Sequence, residues 1–175
     1  MIYLVSGKAR SGKDTFANYL KKDLEDEGKK VCIIHIANSL KDMCFHYFDW
    51  DGKEEDKPRE LLQTLGTDII RVKLGKEKFF INRCLEDIEI LNNFYDTFII
   101  PDVRLPLEIE YIKEAYPDSI VIHIERDIPN NLNDNEKKHI TETALDNYND
   151  FDIKIKNTTL EALENNARVI VKENR

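Results

Sequence analysis

The amino terminus of the chain joins a strand, a glycine-rich loop and a helix without interruption. An apolar run at residues 2–5 leads into the pattern Gly7-x-x-x-x-Gly12-Lys13, and helical spacing of apolar residues begins directly behind it. Glycine has no Cβ, so such a loop can curl its backbone N–H groups around a phosphate. The helix N-terminus adds a dipole that favours negative charge. The pattern therefore predicts a phosphate-binding P-loop, with Lys13 directed at the β- and γ-phosphates of a bound nucleotide.

The residue after the P-loop lysine is unusual. Most P-loops carry the Ser or Thr that ligates Mg²⁺ at this position, whereas this chain has Asp14 and places the hydroxyl one residue later, at Thr15. The Asp14 carboxylate could meet Mg²⁺ directly or through water, because Mg²⁺ prefers oxygen ligands and keeps several waters. Alternatively, Asp14 faces solvent in the first helical turn, where a carboxylate suits the dipole. The sequence leaves both readings open.

Length, charge and cysteine content limit the classes of protein to which the chain can belong. A chain of 175 residues suits one domain, and its net charge of −8 argues against a non-specific nucleic-acid binder. No apolar run approaches the roughly 18 residues of a membrane span, and no signal sequence precedes the first strand. The three cysteines lack metal-ligand spacing, as expected for reduced thiols. We therefore expect a cytoplasmic monomer or homodimer that acts on small molecules.

Alternating strands and helices predict the fold class. Buried strands are expected at 31–36, 97–102, 119–125 and 151–155, in addition to the first, with helices between them. This order predicts a three-layer α/β/α domain with a parallel five-stranded sheet. Asn38 or Ser39 can cap the second helix, and Thr158-x-x-Glu161 predicts a capping box on the last. Gly66 interrupts an apolar helical stripe, which either a close ligand or tight helix packing would explain.

A charged pair follows the predicted strand at 97–102. Asp102 ends this strand and Arg104 comes two residues later, before a helix with Pro106 near its start. Ligands of open parallel sheets bind beyond the carboxyl ends of the strands, so these residues should lie beside the P-loop if the two strands are neighbours. Asp102 can serve a Mg²⁺-bound water or a substrate hydroxyl, and Arg104 can grip a phosphate bidentately. The alternative is a surface Asp–Arg pair that caps the helix.

A polar segment follows the fourth predicted strand. Residues 127–141 are rich in Asn and Lys and almost free of apolar side chains. Composition alone predicts a mobile loop. Its place after a strand end, on the ligand side of the sheet, also suits a lid that closes over phosphates and excludes water.

Four motifs carry a family resemblance: Ser6-Gly-Lys-x-Arg-Ser-Gly-Lys-Asp-Thr15, Leu65-Gly-Thr-Asp68, Pro101-Asp-x-Arg104 and His139-Ile-Thr-Glu142. In this order they resemble the bacteriophage-type deoxynucleoside monophosphate kinases. The P-loop and the segment Leu145-Asp-Asn-x-x-Asp-Phe-Asp152 are also similar to animal-type phosphomevalonate kinase. The second and fourth motifs favour the nucleotide kinases.

The resemblance implies a nucleoside monophosphate kinase-like P-loop fold over residues 1–175, with ATP and Mg²⁺ as cofactors and a (deoxy)nucleoside monophosphate as acceptor. It implies a helical acceptor-binding region at about 38–95 and a lid at about 127–141 that includes Lys137 and Lys138. The implied catalytic residues are Lys8, Arg10, Lys13 and Arg126. The implied ATP-binding residues are Gly7, Arg10, Ser11, Gly12, Lys13, Asp14 and Thr15. The implied acceptor-binding residues are Arg59, Gly66, Thr67, Asp68, Asp102, Arg104, His139 and Glu142. The candidate metal ligands are Asp14, Thr15 and Asp102.

Two other functions remain possible on the sequence. One is a P-loop kinase for another small phosphorylated acceptor, such as phosphomevalonate. The other is a nucleotide-binding switch without kinase activity. Against the switch, the chain lacks an Asn-Lys-x-Asp base-reading motif and has no Asp-x-x-Gly after its third predicted strand.

Overall fold

A computed structural model describes residues 1–126 and 139–174 of the chain. Its strands are β1 (Ile2–Ser6), β2 (Val31–Ile33), β3 (Thr97–Val103), β4 (Ile120–Glu125) and β5 (Ile153–Lys156). Its helices are α1 (Lys13–Asp26), α2 (Asn38–Tyr47), α3 (Arg59–Gln63), a π-helix (Thr64–Lys73), α4 (Phe79–Leu91), α5 (Pro106–Ala115), α6 (Ile140–Thr143) and α7 (Leu160–Glu173).

All five strands are parallel and lie in the order β2-β3-β1-β4-β5. The predicted fold class is confirmed. Because β1 pairs directly with β3, the segment after β3 reaches the same edge of the sheet as the P-loop. The register between these strands shifts by one residue, from Leu4 opposite Ile100 to Ser6 opposite Val103. Pro101 lies at this shift, where its lack of an N–H donor is tolerated.

Helices cover both faces of the sheet. Alternate side chains of β1 point to opposite faces, so Ile2 and Leu4 pack with Phe80 of α4, whereas Tyr3 and Val5 pack with Phe16 of α1. The first face also carries α2 and α5, and the second carries α7. The central strand β1 is therefore buried on both faces, and the residues just beyond the strand ends are left to form a site.

Several predicted boundaries are wrong by a few residues. The second strand ends at Ile33, not at residue 36, and the last strand runs from Ile153 to Lys156. Neither Asn38 nor Ser39 caps α2 through its side chain, because Ala37 is the capping residue and Asn38 is already helical. Helix α7 starts at Leu160, and it is Thr159, not Thr158, whose hydroxyl accepts the N–H of Ala162.

Gly66 lies in the π-helix rather than in an α-helix. A Cβ at this position would be 2.8 Å from Cδ2 of Leu40, so Gly66 allows close packing against α2. Tight helix packing is therefore present, and Gly66 also lines the cavity described below, so the explanation by a close ligand stays a prediction. Among residues 1–126 and 139–174, none of the helices combines the length and the apolar character that crossing a lipid bilayer requires.

Candidate active site

The P-loop adopts a backbone that only glycine accommodates at its two ends. Gly7 has φ 144° and Gly12 has φ 100°. A Cβ on Gly7 would lie 2.4 Å from the carbonyl oxygen of Ile124 in β4. A Cβ on Gly12 would lie 2.5 Å from Nδ2 of Asn157. Close packing against the two strands on one side of β1 thus fixes the loop, which explains why both glycines are needed.

Asn157 follows β5 and anchors the P-loop from the far end of the chain. Its Nδ2 donates a hydrogen bond of 2.8 Å to the carbonyl oxygen of Ser11, and the side chain is buried. The sequence analysis missed this residue. The available signal was a polar amide directly after the last strand, at the edge of the sheet where parallel strands place their ligands.

Lys13 is the buried cation of the site. Its Nζ donates a hydrogen bond of 2.7 Å to the carbonyl oxygen of Lys8, across the loop. Burial and, to a lesser extent, the neighbouring Arg104 guanidinium lower the pKa of the Lys13 ammonium to about 7, against the opposing effect of Glu142. An anionic phosphate beside Nζ would stabilise the charged form. The lysine therefore suits phosphate binding far better than it suits packing.

The segment after β3 brings Arg104 to the P-loop through Glu142. Nη1 of Arg104 donates to Oε1 of Glu142, and the backbone N–H of Ala9 donates to Oε2 of the same carboxylate at 2.8 Å. The predicted proximity of Arg104 and the P-loop is thus present. Asp102 has a different environment, because its two carboxylate oxygens accept the N–H groups of Ile36 and Ala37 at 2.9 and 3.0 Å. Asp102 therefore fixes the start of α2.

A cavity of about 540 Å³ lies between the P-loop and the helices that cover the other face of β1. Nine of the residues predicted for the site lie on its walls: Arg10, Lys13, Asp14, Arg59, Gly66, Thr67, Asp102, Arg104 and Glu142. They come from the P-loop, α3, the π-helix, the end of β3 and α6. Residues far apart in sequence are thus gathered around one space.

The other predicted residues lie around this cavity rather than on its walls. Gly7, Ser11, Gly12 and Thr15 form the frame of the P-loop and the start of α1. Nζ of Lys8 contacts Oδ1 of Asp146 at 2.9 Å, and Nη1 of Arg126 donates to the carbonyl oxygen of Arg10 at 3.3 Å. Arg126 thus touches the P-loop without entering the cavity.

Asp68 and His139 are not on the cavity walls. Nδ1 of His139 accepts the backbone N–H of Thr141 at 3.3 Å and so caps α6. Burial lowers the pKa of His139, and the Asp68 charge opposes that effect, so the two residues are neighbours. Lys137 and Lys138, and most of the predicted lid, lie outside the described residues.

Arg71 and Glu108 are cavity residues that the sequence analysis missed. Nη2 of Arg71 donates to Oε1 of Glu108 at 2.9 Å, and the guanidinium carbon lies 5.2 Å from the centre of the Phe80 ring. The Glu108 carboxylate also accepts the backbone N–H of Arg104 at 2.7 Å. Glu108 is almost fully buried, and burial raises its pKa. Nε of Arg71 is buried without a hydrogen-bond partner among the described residues.

Donors for a metal ion are sparse. No group of three or more His, Cys, Asp or Glu side chains that could hold a metal occurs in the part of the chain that the structure describes. The Asp14 side chain is 79% exposed and its Oδ1 lies 3.7 Å from Nε2 of His35. The nearby His35 side chain is the main cause of the lowered pKa of Asp14, which is therefore ionised at neutral pH.

Several solved structures share the fold. An APS kinase of Mycobacterium tuberculosis in complex with AMPPNP and APS is 10% identical, with a TM-score of 0.56 over 98% of this chain and 95% of that one. A shikimate kinase from Aquifex aeolicus is 15% identical, with a TM-score of 0.55 over 99% and 98%. A sugar kinase from Janibacter sp. HTCC2649 is 13% identical, with a TM-score of 0.56 over 98% and 94%. At these identities the likeness concerns the fold alone.

The sequence itself matches a family model described as deoxynucleotide monophosphate kinase over residues 24–167. No curated protein sequence is significantly similar to the chain. The matched segment begins after the P-loop, so the loop and the match are separate observations that agree on a nucleotide kinase. They favour neither the phosphomevalonate alternative nor the switch, and they confirm the resemblance seen in the motifs. The chain therefore belongs to the deoxynucleotide monophosphate kinase family and is a phosphotransferase.

Proposed function

We propose that the P-loop binds ATP with Mg²⁺ and that the cavity beside it binds a deoxynucleoside monophosphate, which receives the terminal phosphoryl group. One observation carries this proposal. A single cavity has the P-loop cations Arg10 and Lys13 on one side and the cations Arg59, Arg71 and Arg104 on the other. Its volume of about 540 Å³ falls within the usual range of small-molecule sites.

The transfer itself requires positioning and positive charge rather than a general base. An oxygen of the acceptor monophosphate forms a bond to the terminal phosphorus of ATP, and the bond from that phosphorus to its bridging oxygen breaks, which leaves ADP. The acceptor oxygen is already anionic, so no side chain has to remove a proton. We assign Lys13 and Arg10 to the charge that develops on the transferred group, with Lys8 and Arg126 beside them.

The acceptor side is assigned to residues from three separate segments. Arg104 has a planar guanidinium that suits bidentate binding of the monophosphate. Arg59 begins α3 at the cavity wall, where its Nη2 lies 3.3 Å from Glu54 in an exposed pair that a phosphate could replace. Gly66 and Thr67 present the π-helix to the same space, and π-helical turns frequently lie at functional sites. Asp68 and His139 are assigned a position behind this wall.

The residues at the P-loop fit Mg²⁺ only if phosphate groups of the substrate supply further ligands. Mg²⁺ prefers oxygen ligands, keeps several waters and usually takes one or two carboxylates together with substrate phosphates. Asp14 supplies an ionised, exposed carboxylate at the first turn of α1, and Thr15 supplies the neighbouring hydroxyl. Both oxygens of Asp102 already accept backbone N–H groups, so Asp102 would act through water. When bound, the ion would offset negative charge on the terminal phosphates.

We also propose a cytoplasmic enzyme in which about 38–95 forms the acceptor-binding region and about 127–141 forms a lid. The unpaired state of Cys32, Cys44 and Cys84 supports a reducing compartment. The helices of the 38–95 region that line the cavity support its acceptor role.

The proposal is tested by coupled detection of ADP release with ATP, Mg²⁺ and each deoxynucleoside or nucleoside monophosphate in turn. We expect turnover with one or more deoxynucleotides and none with mevalonate phosphate. Nucleotide hydrolysis that no acceptor accelerates would contradict kinase activity. Turnover with mevalonate phosphate alone would contradict a nucleotide acceptor.

A further inference from the structure

The Glu142 carboxylate lies between the two sets of groups that the proposed function assigns to phosphates. One oxygen accepts the N–H of Ala9, in the middle of the P-loop, and the other accepts Nη1 of Arg104, on the acceptor side. Only 9% of the Glu142 side chain is exposed. The Glu142 charge also helps to keep Lys13 protonated, so the carboxylate is close to the buried ammonium as well.

The groups that surround this carboxylate are those that bind a phosphoryl group in other proteins. A P-loop backbone N–H, an arginine guanidinium and a P-loop lysine are the donors that cradle nucleotide phosphates. A carboxylate resembles one face of a phosphoryl group because it carries negative charge on oxygens that accept hydrogen bonds. One residue of the chain thus satisfies donors from both sides of the cavity.

We infer that Glu142 is an internal stand-in for the transferred phosphoryl group. In the conformation described here it holds the Ala9 N–H and the Arg104 guanidinium near the geometry that a phosphoryl group needs. Substrate phosphates then take over these donors, and the carboxylate moves away. This inference rests on the proposed function, and it assigns a positioning role to Glu142, which the sequence placed only among the acceptor-binding residues.

The neighbouring contacts of Glu142 allow such an exchange. Glu142 lies in α6, a helix of four residues whose start is capped by His139. The segment that follows has a second contact with the P-loop, between Asp146 and Lys8, and both of those side chains are substantially exposed. Glu142 is therefore held to the site by charged contacts rather than by a long packed helix, and phosphates can compete for those contacts.

The exchange has a thermodynamic consequence. A site that must first release an internal anion binds an external anion less tightly, by the fraction of molecules that are already open. Weakening the internal contact should therefore tighten the binding of a phosphate chain, which is the opposite of what the loss of a ligand-binding residue does.

The test uses inorganic tripolyphosphate as the probe, with EDTA present, and isothermal titration calorimetry on the full chain. Glu142→Gln removes the charge, and Glu142→Asp keeps the charge but shortens the reach. We expect both variants to bind tripolyphosphate at least about five-fold more tightly than the wild type. Asp150→Asn is the matched control, because Asp150 is exposed in the same stretch of chain and the substitution makes the same change in net charge. It should leave the affinity unchanged.

A measurement on the wild type complements the variants. On titration with tripolyphosphate, the Ala9 amide and the Glu142 side-chain carboxyl should shift together in NMR spectra, with the same midpoint. The inference is overturned if Glu142→Gln binds as the wild type does or more weakly, if Asp150→Asn tightens binding equally, or if only the charge-removing variant has an effect. If tripolyphosphate binding does not depend on Lys13, the proposed function fails and this inference fails with it. If tripolyphosphate binding depends on Lys13 but is not tighter in the Glu142 variants, this inference is overturned and the proposed function is not.

Discussion

The two sides of the cavity, for which we propose the donor and the acceptor nucleotide, are built in different ways. The donor side is one continuous stretch, residues 7–15, whose backbone is fixed by two glycines packed against β4 and Asn157. The acceptor side takes side chains from α3, the π-helix, the end of β3 and α5, which are held together by ion pairs such as Arg71 with Glu108. A backbone cradle suits a phosphate chain that all nucleotides share, whereas side chains can be exchanged one at a time. The comparison indicates that the side chains of the acceptor side determine which acceptor is bound.

The largest effect is expected on the donor side, from Lys13→Ala. The variant should lose about 10²–10³-fold in kcat, because a buried cation aimed at the transferred group is removed. Folding should be retained, since the lysine contributes charge rather than packing. Steady-state kinetics with ATP and a deoxynucleotide give the measurement. Lys21→Ala on the same helix, where the side chain pairs with Glu25, is the control and should keep full activity. Turnover near that of the wild type would rule out the P-loop assignment.

The same lysine should reduce stability, which Lys13→Met tests. The folded protein holds this proton less tightly than the unfolded chain, because burial lowers the pKa of Lys13 from 10.5 to about 7. Between these two pH values the unfolded chain binds more protons than the folded protein, so the stability of the wild type rises with pH relative to that of the variant. At pH 7 the variant should have a higher free energy of unfolding, by about 4 kcal/mol. Urea denaturation at pH 7 and pH 10 measures this. An equal difference at both pH values would contradict a buried ammonium as the cause.

On the acceptor side, Arg104→Ala should lower kcat/KM for the deoxynucleotide about ten- to hundred-fold, since a charge-assisted hydrogen bond contributes about 1.5–3 kcal/mol. Arg104→Lys should not restore it, because an ammonium lacks the planar guanidinium. The KM for ATP should change little. Arg83→Ala removes an arginine whose ion pair with Glu86 is exposed, and serves as the control. Equal weakening of both substrates would remove the distinction between the two sides.

Asn157→Ala should produce the opposite pattern. The buried carbonyl of Ser11 loses its donor, which costs about 1–3 kcal/mol and loosens the P-loop. We expect the KM for ATP to rise about ten-fold while the KM for the acceptor stays near that of the wild type. Asn166→Ala is the matched control, because its side chain donates to the carbonyl of Ala162 in its own helix. A larger effect on the acceptor than on ATP would count against the anchoring role.

The smallest effect is expected from Gly66→Ala. The new methyl group would meet Cδ2 of Leu40, the flexible end of a side chain, so a small displacement relieves the contact. We expect the free energy of unfolding to fall by about 1 kcal/mol or less. The KM for the acceptor should rise slightly and that for ATP should not change. A fall of several kcal/mol in the free energy of unfolding, measured by thermal denaturation, would show that the Leu40 side chain cannot move aside.

The parts of the molecule that depend on local sequence could be predicted, and those that depend on contacts through space could not. The P-loop, the five parallel strands and the neighbouring positions of Asp102 and Arg104 follow from patterns a few residues long. The partners of Asp102 and Glu142 lie on segments remote in sequence, so no spacing rule identifies them. The π-helix escaped prediction because apolar spacing does not distinguish it from an α-helix.

Arg71 illustrates the same limit on the acceptor side. No short motif contains Arg71, yet its side chain lies in the cavity wall against Glu108 and the face of Phe80. Their pairing becomes visible only when the sheet places α5 beside the π-helix.

The hydrogen bond from Asn157 to the P-loop has a consequence for folding during synthesis on the ribosome. The amide that steadies the P-loop is synthesised 146 residues after the carbonyl group that it binds. The nascent chain can complete β1 and α1 early, whereas a rigid phosphate cradle has to wait for β5 and the residue behind it. A ligand that needs the rigid loop would therefore bind only after β5 has joined the sheet.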